Sequence, residues 1–255
     1  MSEMNLLYNT MMRWLYLSPH LDDAIYSCGG LIWEQTQAGD TVEIWTVCAG
    51  DPPPGPLSPF AQGLHARWGT GSDAGEVRRA EDVQAARRVG ATLRHLPLPD
   101  CIYRRAPSGE ALYASEEAIF GAIHPAETGV VWLRQVLAEQ VPAGTFVVCP
   151  LALGRHVDHQ LVRAATEQAE AVGFYYPDFP YAARWDIHAE KRVPEGWQRK
   201  VFPLSETAIR AWIEGIALYT SQKNTFWENE AALEAEIRAY AQLHGGARLW
   251  HKKEP

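Results

Sequence analysis

The chain lacks any run of about 18 apolar residues, so the sequence offers no membrane-spanning helix. It lacks a basic tract too: only short pairs such as Arg104-Arg105 and Lys252-Lys253 break a formal net charge of −8, which argues against a broad nucleic-acid-binding face. Cysteine is scarce. Cys28, Cys48, Cys101 and Cys149 form no C-x-x-C pair, so a cysteine-built zinc site is not expected, and they read as small buried thiols of a reducing compartment. No G-x-G-x-x-G turn follows the first apolar run, where the residues are instead Ser18-Pro19-His20-Leu21-Asp22-Asp23, and this disfavours dinucleotide binding. There is no internal repeat and no low-complexity segment. The N-terminal stretch MSEMNLLYNTMMRWLYLSPH has neither a basic start nor a small-residue cleavage site, and reads as mature, cytoplasmic protein.

What is present suits a globular enzyme. The 255 residues are 47% hydrophobic, enough to build the core of a single α/β domain spanning residues 1–255. Residues 13–18 (RWLYLS), 41–48 (TVEIWTVC), 92–98 and 145–149 (TFVVC) read as strands. Residues 22–37, 74–89, 129–140, 157–172, 205–217 and 228–243 read as helices. Gly29-Gly30 within the first helix predicts close packing of that helix on the sheet. The alternation of strand and helix predicts a Rossmann-like, mostly parallel sheet with helices on both faces. Residues 49–73, rich in proline and glycine, read as a long loop after the second strand and so as a rim of any site at the sheet's carboxyl edge. Tyr175 to Tyr181 (YYPDFPY) reads as an aromatic wall for a sugar ring.

Two clusters sit just after strands, where open parallel sheets gather ligands: Pro19-His20-Leu21-Asp22-Asp23 and His156-Val157-Asp158-His159. His20 and Asp23 are three apart, the spacing of residues that share a face of a turn entering a helix. Imidazole nitrogen and carboxylate oxygen suit zinc, and His159 would complete three protein ligands with a position left for water. Asp22, between the first two, would hold that water and take its proton. His156 would face the same cavity as a cation or acid, and Asp158 would orient an imidazole.

These residues resemble the PIG-L or LmbE-like family of zinc-dependent N-acetylglucosaminyl de-N-acetylases. The family's Pro-His-x-Asp-Asp motif is matched by Pro19 to Asp23, and its His-x-Asp-His motif by His156 to His159. Its Arg-x-x-Glu helix motif, with a following Ala and closing Gly, is matched by Arg78-Arg79-Ala80-Glu81, Ala85 and Gly90. The likeness covers about residues 13–165, and the part from about 170 to 255 diverges. The resemblance implies one catalytic Zn2+, or another divalent metal, held by His20, Asp23 and His159. It implies Asp22 as general base, His156 as the group that stabilises charge or donates a proton, and Arg78 as a substrate contact. The reaction implied is removal of an N-acetyl or other N-acyl group from a small amino-sugar substrate. Some members carry a Tyr two residues before the first His of the second motif, where it polarises the carbonyl, and Gly154 stands there in this chain. Three rivals are a thiol-sugar or non-sugar amidase on the same fold, a non-catalytic sugar-binding module, and the nucleotide-binding protein disfavoured above. A homo-oligomer is compatible with the sequence.

Overall fold

A computed structural model describes residues 11–68, 74–185 and 191–253. The first ten residues, residues 69–73 of the long loop, and His188 lie outside the described residues.

The order of elements begins β1 (Arg13–Ser18), α1 (Asp23–Gln37), β2 (Thr41–Thr46), α2 (Pro59–Trp68), α3 (Ala74–Arg88), β3 (Thr92–His95), α4 (Glu116–Ile119), α5 (Gly129–Gln140) and β4 (Thr145–Pro150). It continues α6 (Val157–Gln168), β5 (Val172–Tyr176), α7 (Tyr181–Trp185), β6 (Trp197–Phe202), α8 (Glu206–Ala217), α9 (Glu230–His244) and β7 (Ala247–Lys252). The strands form one seven-stranded sheet in the order β3-β2-β1-β4-β5-β7-β6. The first five are parallel. The last two add antiparallel strands at the β5 side.

The pleat of β1 sorts the core. Trp14 and Tyr16 face one apolar layer, with Ile25 and Ile32 of α1, Val89, Trp212 and Ile216 of α8, and Ile237 of α9. Leu15 and Leu17 face the other layer, with Leu133 and Leu137 of α5 and Leu161 and Val162 of α6. Helices therefore cover both faces of a single-domain sheet, as a buried parallel sheet requires.

Three local expectations are corrected. The loop after β2 is not structureless, because Pro59–Trp68 is a helix. Residues 157–172 do not form one helix: α6 ends at Gln168, and Val172 begins β5. The Gly29-Gly30 pair packs on a helix, not on the sheet. A Cβ at Gly29 would lie 2.7 Å from Cδ1 of Trp212, and one at Gly30 would lie 3.0 Å from Leu204, so the absence of side chains lets α8 settle onto α1.

β6 closes the sheet on one side, and its burial pattern leaves Gln198, Arg199, Lys200 and Val201 exposed.

Candidate active site

Both clusters arrive at the carboxyl edge of adjacent parallel strands, β1 and β4. Asp22 occupies the N-cap position of α1, yet its carboxylate makes no capping hydrogen bond. Ser18 performs that task instead, its Oγ accepting from the Ala24 amide at 3.0 Å and donating to the His20 carbonyl at 2.6 Å. The Asp22 side chain is thereby free to face a cavity of about 220 Å³ that His20, Asp22, Asp23, Arg78, His156 and His159 all line. On the β4 side, Ala152 and Arg155 adopt left-handed backbone, φ 57° and 62°. Each costs on the order of 1–3 kcal/mol, and the turn they make points the start of α6 back at the cavity.

The Asp23 carboxylate is the hub. Its Oδ2 lies 3.3 Å from His20 Nδ1 and 3.3 Å from His159 Nε2. The donor-to-donor edge of a tetrahedron with ligands at about 2.1 Å is about 3.4 Å, so the two edges that meet at Asp23 Oδ2 have the length a shared small divalent ion requires. The His156 ring joins the cluster, with one ligand nitrogen each of His20, His156 and His159 within 4.8 Å of one another. Both histidines of the hub are held from behind. His20 Nε2 lies 2.9 Å from Asp158 Oδ2, and His159 Nδ1 lies 2.6 Å from Asp178 Oδ1. A carboxylate behind an imidazole fixes its tautomer and raises its basicity.

Electrostatics divide the roles. Desolvation opposes charge on His20 and His159, but the surrounding carboxylates win: His20 is held well above the usual histidine range, chiefly by Asp158 and Asp23, and His159 rises to about 10 through Asp23 and Asp178. Asp23, between the two imidazoles, is held well below the usual carboxylate range despite its burial. Burial, and then the neighbouring Asp23 charge, push Asp22 up to about 7. Arg78, 3.9 Å from Asp22 Oδ2, opposes that rise. His156 goes the other way: burial and the His20 charge lower it to about 3. In the metal-free chain, burial and the His20 charge thus disfavour protonation of His156. Its Nδ1 accepts from the Asp158 amide at 3.3 Å, which leaves Nε2–H as the donor.

Asp158 orients His20, not His156. It is also tied to the Arg104 guanidinium, which is buried and makes a second pair with Glu127 at 3.1 Å. Arg104 of the apparent surface pair is thus an interior residue. The aromatic wall divides likewise. Tyr175 and Tyr176 lie in the core, Asp178 serves His159, and Phe179, Pro180 and Tyr181 line the cavity. A Cβ at Gly154 would meet the Tyr181 ring at 3.1 Å, so that ring covers the place where the resemblance expected a different tyrosine. Among the residues of the long loop, Leu64 and Arg67, both on α2, line the cavity. Sequence reasoning missed Asp100, a cavity residue whose Oδ2 lies 3.7 Å from His20 Nε2. It also missed Asp178 and Gln222 as site residues, none of which sits in a motif.

The sequence profile of the GlcNAc-PI de-N-acetylase family, PIG-L, matches residues 15–170. The chain belongs to that family. Two other PIG-L-like relatives are 2'-N-acetylparomamine deacetylases. The one from Niallia circulans is 30% identical over 207 residues, covering 72% of each chain. The one from Streptomyces fradiae is 29% identical over 246 residues, covering 92% of this chain and 82% of its own. Among solved structures, the zinc-inhibited form of teicoplanin deacetylase Orf2 superposes with a TM-score of 0.78 at 29% identity, covering 94% of this chain and 97% of that one. Among the described residues no helix is long and apolar enough to cross a membrane.

Proposed function

We propose that this PIG-L family member is a zinc-dependent N-deacetylase that frees the amine of an N-acetylated amino sugar. The observation that carries the reading is the Asp23 hub, two imidazoles at 3.3 Å from one carboxylate oxygen, with a second carboxylate raised to about 7 beside it. The relatives that deacetylate paromamine and teicoplanin derivatives support the substrate class.

His20, Asp23 and His159 would hold the ion, which supplies Lewis-acid polarisation of the acyl carbonyl and acidifies water. Asp22 takes a proton from the attacking water, a task suited to a carboxylate whose affinity for protons is raised toward neutrality. The same carboxyl, its affinity for protons raised, then passes that proton to the departing nitrogen. His156 instead donates its Nε2–H to the developing oxyanion, a contribution worth about 3–4 kcal/mol in comparable sites. Asp158 and Asp178 keep the two imidazoles aimed. Arg78 holds the substrate and steadies the Asp22 charge.

The test is amine release from N-acetylglucosamine and N-acetylated aminoglycosides by protein first stripped with a chelator and then supplied with one equivalent of zinc. Activity should vanish on stripping and return with zinc. Turnover that survives complete metal removal would rule the mechanism out.

A further inference from the structure

The family match ends at residue 170, yet part of the cavity wall comes from chain beyond it: Phe179, Pro180 and Tyr181, then Gln222, Thr225 and Phe226. The second group lies between α8 and α9, in a connection with only one 3-10 turn, Lys223–Thr225. Its own turns are closed by short-range backbone bonds such as Gln222 N to Tyr219 O and Phe226 N to Lys223 O, and these do not set where it lies against the cavity, so what fixes its place matters.

The fixing comes from α3, the helix that presents Arg78 to the cavity. Glu81, one turn further along, accepts from Thr220 Oγ1 at 2.6 Å, Ser221 N at 3.0 Å and Ser221 Oγ at 2.6 Å. Asp82 accepts from Tyr219 Oη at 2.6 Å and from Thr46 Oγ1 at 2.7 Å, with His95 Nε2 at 3.0 Å. Both acids are buried. A buried carboxylate is tolerable only when it is well supplied with hydrogen bonds, and here the 219–221 segment supplies most of those of Glu81. The far end is tied as well: Arg184 donates to the Phe226 carbonyl at 2.7 Å and pairs with Glu236 at 3.0 Å, and Trp227 donates to Glu236 at 2.6 Å. Between these anchors Gln222 is buried, its Nε2 donating to the Ser221 carbonyl at 3.1 Å.

We propose that Gln222 and Phe226 form the subsite that reads the part of the substrate beyond the acetamido ring, with Glu81 as the positioning residue that sets the subsite in register with the proton chemistry. This rests on the amino-sugar deacetylase reading. The ligand is a second hydroxylated or aminated ring. The Gln222 carboxamide oxygen accepts from its hydroxyl or ammonium group, and the Phe226 face takes its apolar side.

The experiment compares a one-ring substrate, N-acetylglucosamine, with a two-ring substrate carrying the same acetamido sugar joined to an aminated ring, using zinc-loaded protein. Gln222→Ala and Phe226→Ala should each lower kcat/KM for the two-ring substrate about tenfold more than for the one-ring substrate, through KM; that ratio corresponds to about 1.4 kcal/mol. Glu81→Gln should show the same KM-weighted pattern. Ser221→Ala removes the one bond to Glu81 Oε2 but leaves the carboxylate and its two bonds at Oε1 in place, and answers the question if Glu81→Gln does not fold. Equal losses on both substrates, or losses confined to kcat, overturn the subsite. Wild-type protein that hydrolyses neither substrate overturns the deacetylase reading instead. The subsite is then judged by calorimetric binding of the two-ring free amine, which both alanine variants must weaken about tenfold.

Discussion

At the scale of single residues, Asp22 is where structure and chemistry pull in opposite directions. An unfolded Asp ionises at about 3.9, and burial beside Asp23 raises the folded value to about 7. The proton is therefore held more tightly in the folded chain. The stability this gives is complete below the ordinary carboxylate value and is lost as the pH rises through about 7. An amide cannot ionise, so Asp22→Asn should melt above the wild type in metal-free protein. The gap should widen from about pH 4 to about pH 7 and then stay level. Calorimetry at several pH values would show it, and a gap that narrows with rising pH would contradict the argument. The same variant should keep its metal and lose about 100-fold or more in kcat. His20, Asp22 and Asp23, and likewise His156, Asp158 and His159, were legible in the sequence because each trio falls within four residues in a cluster that follows a strand. Their exact tasks were less so. The lowering of His156 comes from burial and from the His20 charge, which belongs to a segment more than 130 residues away. Asp178 and Asp100 were not legible, since nothing local distinguishes an aspartate that backs an imidazole from one that caps a turn.

At the scale of elements, the sequence read best where one signal was undisputed. The bounds of β1 and α5 match the sequence reading, for both are short, strongly patterned runs between turn residues. Reading failed where two signals competed. Pro59 looked like a breaker inside a proline-rich tract but opens α2, where a proline's missing amide is no loss. β6 and β7 escaped notice because β6 has an exposed, charged face and β7 follows directly on α9. The α1–α8 contact offers a direct test of helix packing. Gly29→Ala would press a methyl group against the buried Trp212 ring, and overpacking of this kind costs about 1–3 kcal/mol. Gly63→Ala in α2 meets nothing within 4 Å and should instead stabilise by about 0.5–1 kcal/mol through helix propensity. Urea titrations of the two variants should shift in opposite directions. A neutral Gly29→Ala would mean that α8 can slide without loss.

At the scale of the molecule, the family-matched stretch and the folding unit are different objects. Residues 15–170 hold the motifs, but the layer over α1 is completed by Trp212, Ile216, Leu233, Ile237 and Leu249. A chain ended at residue 170 would bare that layer, and should show no cooperative thermal transition and should bind an exposed-hydrophobe dye. A cooperative melt of the 1–170 fragment would show the remainder to be an appendage. This dependence explains why the C-terminal third resisted reading: its residues answer to partners elsewhere in the chain, as Trp212 does to Gly29 and Tyr219 to Asp82. The added strands also change what the sheet shows to other molecules. Without them β5, a run of Phe174, Tyr175 and Tyr176, would be the open border, inviting a second chain to pair along it. With β7 and β6 in place, the border instead carries Arg199 and Lys200, with the Lys200 ammonium lying 5.1 Å over the Phe202 ring. The late strands thus act as a guard against fibre-like self-pairing, which lets an aromatic-rich interior strand persist at the concentrations a working catalyst needs.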